Sequence, residues 1–367
     1  MKTQTLRWTD GKWDESPDIL SAAQLGLVFG SGEILSRPEV LAALRENLSD
    51  TEIVGCSTAG EILGGSVSDD GLVVLLVEFE STTVRTVHRQ VTTAAASRTV
   101  GQEMGAELNA PGLRHVVVLS NGLQVNGTEL VAGLRSALPA GISATGGLAG
   151  DGSRFEDTVV VHNERIESDG VIAIGFFGDQ LEVRWGTAGG WEAFGPRRKV
   201  TRAEANVLYE LDGRPALDLY KTYLGDRAVG LPATGLLFPL ELLPAIDGDP
   251  SLVRTILAVD EATQSLTFAG DVPAGRSVRL MKSTIDRLIW GAETAGGMAG
   301  TDATPASLAL LGQRVEEEIE AVLDQLGQPV GVIGFYSYGE IGPGGVTHGC
   351  ELHNQTMTLT TFAERPR

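Results

Sequence analysis

The string Gly334-Phe335-Tyr336-Ser337-Tyr338-Gly339-Glu340-Ile341 decides how this chain is read. The apolar run from Val330 to Phe335 predicts a buried strand, and the groups behind it arrive at the strand's end, where α/β proteins place ligand sites. His353-Asn354-Gln355-Thr356-Met357 follows, three polar side chains ahead of an apolar strand from Met357 to Phe362. A second string of the same kind, Gly55-Cys56-Ser57-Thr58-Ala59-Gly60-Glu61-Ile62, lies behind the short apolar run Ile53-Val54. Both end in Gly-Glu-Ile.

Outward from these strings, strand and helix patterns alternate. The fold class is therefore α/β in the mixed α+β sense, with two lobes built on mixed β-sheets covered by helices. Strands are predicted at Leu25 to Phe29, Leu72 to Phe79, His115 to Leu119, Val159 to His162, Val171 to Phe177, Leu252 to Val259, Ser265 to Phe268 and Ser277 to Met281. Helices are predicted at Thr92 to Leu108, Thr128 to Leu138, Ser283 to Ala295 and Leu308 to Leu326, with helical spacing over 201–225 and an irregular proline-rich connection over 228–250. The acidic cluster Glu316, Glu317, Glu318, Glu320 reads as a solvated helix face. Ala59 to Ile62 echoes Tyr338 to Ile341, and Gly296 to Gly300 echoes Gly146 to Gly150, which raises a degenerate internal duplication.

Composition narrows the function classes. A chain of 367 residues with 42% hydrophobic residues can bury a large core. Its formal net charge of −20 disfavours nucleic acid, because the densest basic run is Arg197-Arg198-Lys199. Two cysteines, Cys56 and Cys350, make no disulfide framework and point to a reducing cytoplasm. The opening residues lack a signal-type apolar run, and the longest run, Leu72 to Val77, is far short of the ~20 residues a bilayer needs. The expectation is a soluble protein with no membrane insertion.

The candidate ligand-binding residues are Cys56, Ser57, Thr58, Glu61, Asp151, Tyr336, Tyr338, Glu340, His353, Asn354 and Gln355. Glu61 and Glu340 each follow a glycine in a turn, an arrangement that aims a carboxylate into a pocket to receive an ammonium group. The competing reading has them cap backbone N–H groups or pair with an arginine such as Arg314. The two strings are expected to meet across one cleft, with Tyr336 and Tyr338 on one wall. Cys56 at the head of a turn is read as a small buried hydrophobe, against a nucleophile whose base would be His353. His348, Cys350 and His353 fall short of the four ligands of structural zinc. Gly146 to Gly152 lacks the ending of a nucleotide-binding loop, and Asp151 either binds a ligand or holds a turn.

Together with Gly146-Gly147-Leu148-Ala149-Gly150-Asp151-Gly152, Leu211-Asp212-Gly213-Arg214-Pro215-Ala216-Leu217-Asp218-Leu219-Tyr220 and Leu311-Gly312-Gln313-Arg314-Val315-Glu316-Glu317-Glu318, the two strings give the chain its resemblance to the FIST family of bacterial sensory proteins. The resemblance implies an N-terminal FIST domain over 1–225, with a core about 25–190 and a connecting helical segment, and a C-terminal one over 226–367. It implies a sensor that binds a small ligand, an amino acid or related metabolite, and signals to a separate output protein, with no catalytic activity. A thiol-dependent hydrolase or transferase using Cys56 and His353 is the alternative, and a haem-based gas sensor, suggested by some members of the family, is a further one; the cofactor and oligomeric state stay open. One stretch departs from the family pattern: Thr304 to Leu310 holds no cysteine, so no thiol chemistry is carried over to it.

Overall fold

The computed structural model describes the chain except residues 10, 15–19, 47, 70, 245–250, 301–305, 312–315, 328–330, 344–349 and 366–367. Arg314, His348 and Thr304 lie outside the described residues. The fold is mixed α/β, and among the described residues its strands form four sheets.

Three of those sheets follow one plan. Each is centred on a parallel pair: Leu25–Gly30 with Glu52–Ser57, Leu113–Ser120 with Ser143–Leu148, and Ala306–Leu311 with Val332–Tyr336. An antiparallel strand lies on the outer side of the first member, Leu72–Glu78, Gly170–Phe177 or Met357–Glu364. Beyond it runs Lys2–Thr9, Thr83–Gln90 or Leu181–Ala188. Hairpins complete the plan, and each is exchanged. The hairpin after Glu52–Ser57 (61–68) pairs with Val332–Tyr336, the one after Val332–Tyr336 (339–353) with Ser143–Leu148, and the one after Ser143–Leu148 (160–167) with Glu52–Ser57.

This cyclic exchange closes a pseudo-threefold ring. At its centre three corresponding backbone bonds run from one unit to the next: Ala59 N to Tyr336 O at 2.9 Å, Gly150 N to Ser57 O at 3.0 Å and Tyr338 N to Leu148 O at 3.1 Å. The parallel registers put Gly55, Gly146 and Gly334 at the same place in the three units. The reason is steric, since a Cβ at Gly55 would lie 1.7 Å from Val28 O and one at Gly146 1.9 Å from Val118 O. Of the two echoes seen in the sequence, Ala59 to Ile62 and Tyr338 to Ile341 are therefore structural equivalents. Gly296 to Gly300 ends a helix while Gly146 to Gly150 ends a strand, so that echo is only compositional.

Helices Ser97–Leu108 and Gly127–Ala137 pack together beside the second sheet, the latter opened by the Asn126 side chain accepting from Glu129 N. Ile285–Ala299 and Glu316–Leu326 pack together against the third. The helix expected from Leu308 is shorter, because 306–311 is a strand in the parallel pair and helix begins only at Glu316. The segment 201–225 is also split. Arg198–Glu204 and Val207–Leu211 are strands, and only Ala216–Leu224 is helical, because Asp212-Gly213 with positive φ makes a hairpin turn that breaks the helical run.

The fourth sheet, of nine strands between Glu192 and Lys282, takes strands from both sides of residue 225 and has its own core around Leu208, Leu217, Ile256 and Phe268. Where the three related sheets meet, Phe29, Cys56, Leu119, Phe176, Phe335 and Phe362 form a shared interior. Burying one such phenylalanine contributes about 1.5–3 kcal/mol, so this interior contributes substantially to holding the three sheets together.

Candidate functional site

The two motif strings meet along the backbone. Glu61 pairs with Phe335, Tyr336 N donates to Gly60 O at 2.9 Å, and the Tyr336 ring lies against Gly60. Each string then builds the same cradle around its glutamate. Thr58 Oγ1 donates to Glu61 Oε1 at 2.6 Å, and Ser337 Oγ donates to Glu340 Oε1 at 2.8 Å. Gly71 N and Ser68 Oγ reach Glu61 Oε2 at 3.2 and 3.4 Å, while Thr356 N and Oγ1 both reach Glu340 Oε2 at 3.0 Å. Asp69 lies over Gly60 as Asn354 lies over Gly339. In the second unit, which has no such glutamate, Val160 holds the corresponding strand position, opposite Cys56, and the Asn121 amide bonds Thr158 and Ser168.

Both carboxyls are almost wholly buried, and burial dominates their ionisation. Glu61 is pushed up to about 7 by burial, with Asp69 adding to the rise and the Thr58, Gly71 and Ser68 bonds opposing it. Glu340 is pushed up to about 8 by burial against the Thr356 and Ser337 bonds. A third acid was not legible in the sequence. Glu318, read there as part of a solvated helix face, is buried and held at about 8 by burial and by the neighbouring Glu340. Glu317 and Glu320 are exposed, so the cluster faces both ways.

The Glu61 cradle opens to solvent. A cleft of 340 Å³ is lined by Thr58, Glu61, Asp69, Ser31, Ser153 and Arg154, among others. The loop carrying Ser153 and Arg154 comes from the second unit and is fixed by Asp151, which accepts from the backbone N–H of Phe155, Glu156 and Asp157 at 2.9, 2.9 and 3.0 Å. Asp151 also accepts from the Tyr338 hydroxyl, whose ring stacks on Phe155 at 4.8 Å. Glu340 and Tyr338 do not line this cleft.

Tyr336 and Tyr338 do not share a wall. Tyr336 packs with Ile62, Ile319 and Met357 under the helices of the third sheet, whereas Tyr338 packs with Ile341 and Leu352 beside the second. The turn at Ser337 ends the extended run, so the two-residue spacing no longer puts both rings on one face. Ser57 is buried and its hydroxyl accepts from Val159 N at 3.0 Å. Cys56 is buried in the shared interior, its thiol pushed well up by burial. His353, half-buried, lies opposite Glu340 in the sheet and is pushed down to about 4 by burial of its ring and by Arg254, and no hydrogen bond joins it to Cys56 among the described residues.

The four described histidines do not fit a haem. His115 uses both ring nitrogens on Ser143 and Thr145 at 2.8 and 2.9 Å, His88 and His162 pair with Glu167 and Glu52, and His353 sits among carboxyl and amide groups rather than in an apolar slot. Among the described residues no group of three or more His, Cys, Asp or Glu is placed to hold a metal ion.

No curated protein matches the chain. Among solved structures it is similar to one titled as the cyanuric acid hydrolase from A. caulinodans, with a TM-score of 0.37 and 11% identity over 100% of this chain and 99% of that one. That likeness is too distant to carry function. The FIST N domain model matches residues 24–214 and the FIST C domain model residues 216–343. The chain thus belongs to the FIST family, whose domains are associated with small-ligand sensing in signal transduction.

Proposed function

We propose that this protein is a sensor that binds a small zwitterion of the amino-acid type in the Glu61 cleft and passes occupancy to a separate output protein. The observation that carries this reading is the pairing of groups in the cleft: a buried carboxyl with Asp69 beside it, and the Arg154 guanidinium on the same wall system. An ammonium group would favour the ionised Glu61, whose proton leaves to solvent, and pair with its charge, and a ligand carboxylate would accept paired N–H bonds from Arg154, whose planar guanidinium suits a two-oxygen partner. Thr58 orients Glu61, and Asp151 and Tyr338 hold the Arg154 loop in place. Both described cysteines are free and buried, which supports a reducing cytoplasm as the setting. Among the described residues no helix is long and apolar enough to cross a membrane.

Isothermal titration with free L-amino acids tests the reading, with the matching primary amines and carboxylic acids as controls. A zwitterion should bind at least tenfold more tightly than either control, and Glu61→Gln and Arg154→Ala should each abolish that preference. Equal affinity for the acid and the zwitterion, or full binding by both variants, would refute it.

A further inference from the structure

The fourth sheet, which stands outside the threefold plan, carries a slot of its own. Its strand Ser277–Lys282 pairs with the chain at Ala193, opposite Met281, and again at Arg198, opposite Val278. Between those points the segment from Phe194 to Arg197 has only Arg279 and Leu280 to face, so it must bulge away. The sequence dictates where. Phe194 N still donates to Leu280 O at 2.8 Å, but Gly195 then takes a positive φ of 79° and Pro196 has no N–H to offer the strand.

The bulge and the helix Ala216–Leu224 enclose a slot of 40 Å³. Its floor is apolar, made by the buried Leu211, Leu240, Val278 and Leu280. Tyr220 adds ring carbons, because its hydroxyl is spent on Phe238 O at 2.6 Å. The charged residues of the lining are Arg198 and Arg279, and no carboxylate shares it among the described residues. Arg198 gives Nε to the Tyr223 hydroxyl at 2.8 Å and Nη1 to Asp212 at 3.1 Å, while Arg279 gives Nε to Glu241. These partners hold both forks in place. They leave each Nη2 unspent, since a guanidinium has five N–H donors.

We propose that this slot is a second binding site, for a small branched-chain monocarboxylate, with the apolar end in the slot and the carboxylate on the free N–H groups of Arg198 and Arg279. An apolar pocket with a few convergent polar groups is the usual form of a small-molecule site. A single water needs about 10–15 Å³, so the slot suits an apolar group of about three carbons, the size of an isopropyl. Planar guanidinium forks match a carboxylate. Asp212 and Glu241 already offset part of their charge, which suits a single negative charge rather than two. The ligand class differs from that of the Glu61 cleft, because no acid lines this slot to receive an ammonium group, and the two sites share no lining residue. The inference therefore stands independently of the Glu61 reading.

The test is calorimetric titration of the full-length protein with sodium isovalerate, with isovaleramide as the uncharged isostere and sodium acetate as the acid without the branched end. Saturable isovalerate binding is expected, at least tenfold tighter than either control, weakened at least fivefold by Arg198→Gln and changed less than twofold by Glu61→Gln. If Arg198→Gln does not fold, Tyr223→Ala gives the reading: this ring lines the slot and is 38% exposed, and its loss should weaken binding at least threefold. The proposal is overturned by absent isovalerate binding, by equal affinity for the amide or for acetate, by unchanged binding in the arginine variant or in the tyrosine variant that replaces it, or by loss of binding in Glu61→Gln.

Discussion

Replacing Glu61 by glutamine should flatten the pH dependence of stability. The folded carboxyl is held at about 7 against 4.5 for the free side chain, chiefly by burial. A folded state that keeps its proton while the unfolded chain loses it is fully favoured below the unfolded value, and that advantage is lost as pH rises through the folded one. Each pH unit in this window removes about 1.4 kcal/mol. Raising the pH from about 5.5 to about 8.5 should therefore cost the wild type roughly 2 kcal/mol through this residue alone. Glu340 and Glu318, both held near 8, tilt the curve the same way but remain in the variant. Urea unfolding followed by tryptophan fluorescence at several pH values gives both curves, and the readout is their difference. Glutamine sets an offset, because its amide N–H faces Gly71 N–H, but that offset does not titrate. The stability gap should shift by roughly 2 kcal/mol in favour of Glu61→Gln across the range. Parallel curves would show that Glu61 ionises inside the fold as it does in water, and the argument from burial would fail.

Cys56, buried with a raised thiol, should resist iodoacetamide at neutral pH until the protein is unfolded, and His353→Ala should leave that rate unchanged; rapid labelling of the native protein would restore the thiol chemistry. Tyr338→Phe removes the hydroxyl that bonds Asp151 and Gly152 O, so thermal unfolding should show a loss of about 1–3 kcal/mol, with weakened ligand binding in the Glu61 cleft because the Arg154 loop loses an anchor.

The strands were legible where apolar runs are continuous. Leu72–Glu78 and Gly170–Phe177 are central strands whose side chains are buried on both faces, and nothing in their sequences competes with that reading. Leu308 to Leu311 was read as helix because a short apolar run beside a long amphipathic one carries no period of its own. Glu318 was misread for a related reason: two of its neighbours in sequence are solvated, and its burial follows from how the helix Glu316–Leu326 packs on Ile285–Ala299, which no local spacing shows. The two cradles were half legible. Each glutamate and its hydroxyl partner lie three residues apart and could be read locally. Gly71 and Thr356, which bond the other carboxylate oxygen, sit behind hairpins of different length, so no fixed spacing reveals them.

The hidden repeat explains why the motif glutamates looked like a single shared cleft and are not one. Because each hairpin is handed to the next sheet, a glutamate is held by its own string yet paired with a strand from another unit, Glu61 with Phe335 and Glu340 with Gly147. The strings therefore touch along the backbone while their carboxyls serve different cradles. The same exchange gives a ligand leverage over the whole ring. Movement of Glu61 acts on the strand that ends at Tyr336, and Ser337, directly behind it, orients Glu340. The pair Ala59 N to Tyr336 O and Tyr336 N to Gly60 O is a direct backbone link between the strings that carry the two cradles, and it gives movement at Glu61 a continuous hydrogen-bonded route to the segment that orients Glu340.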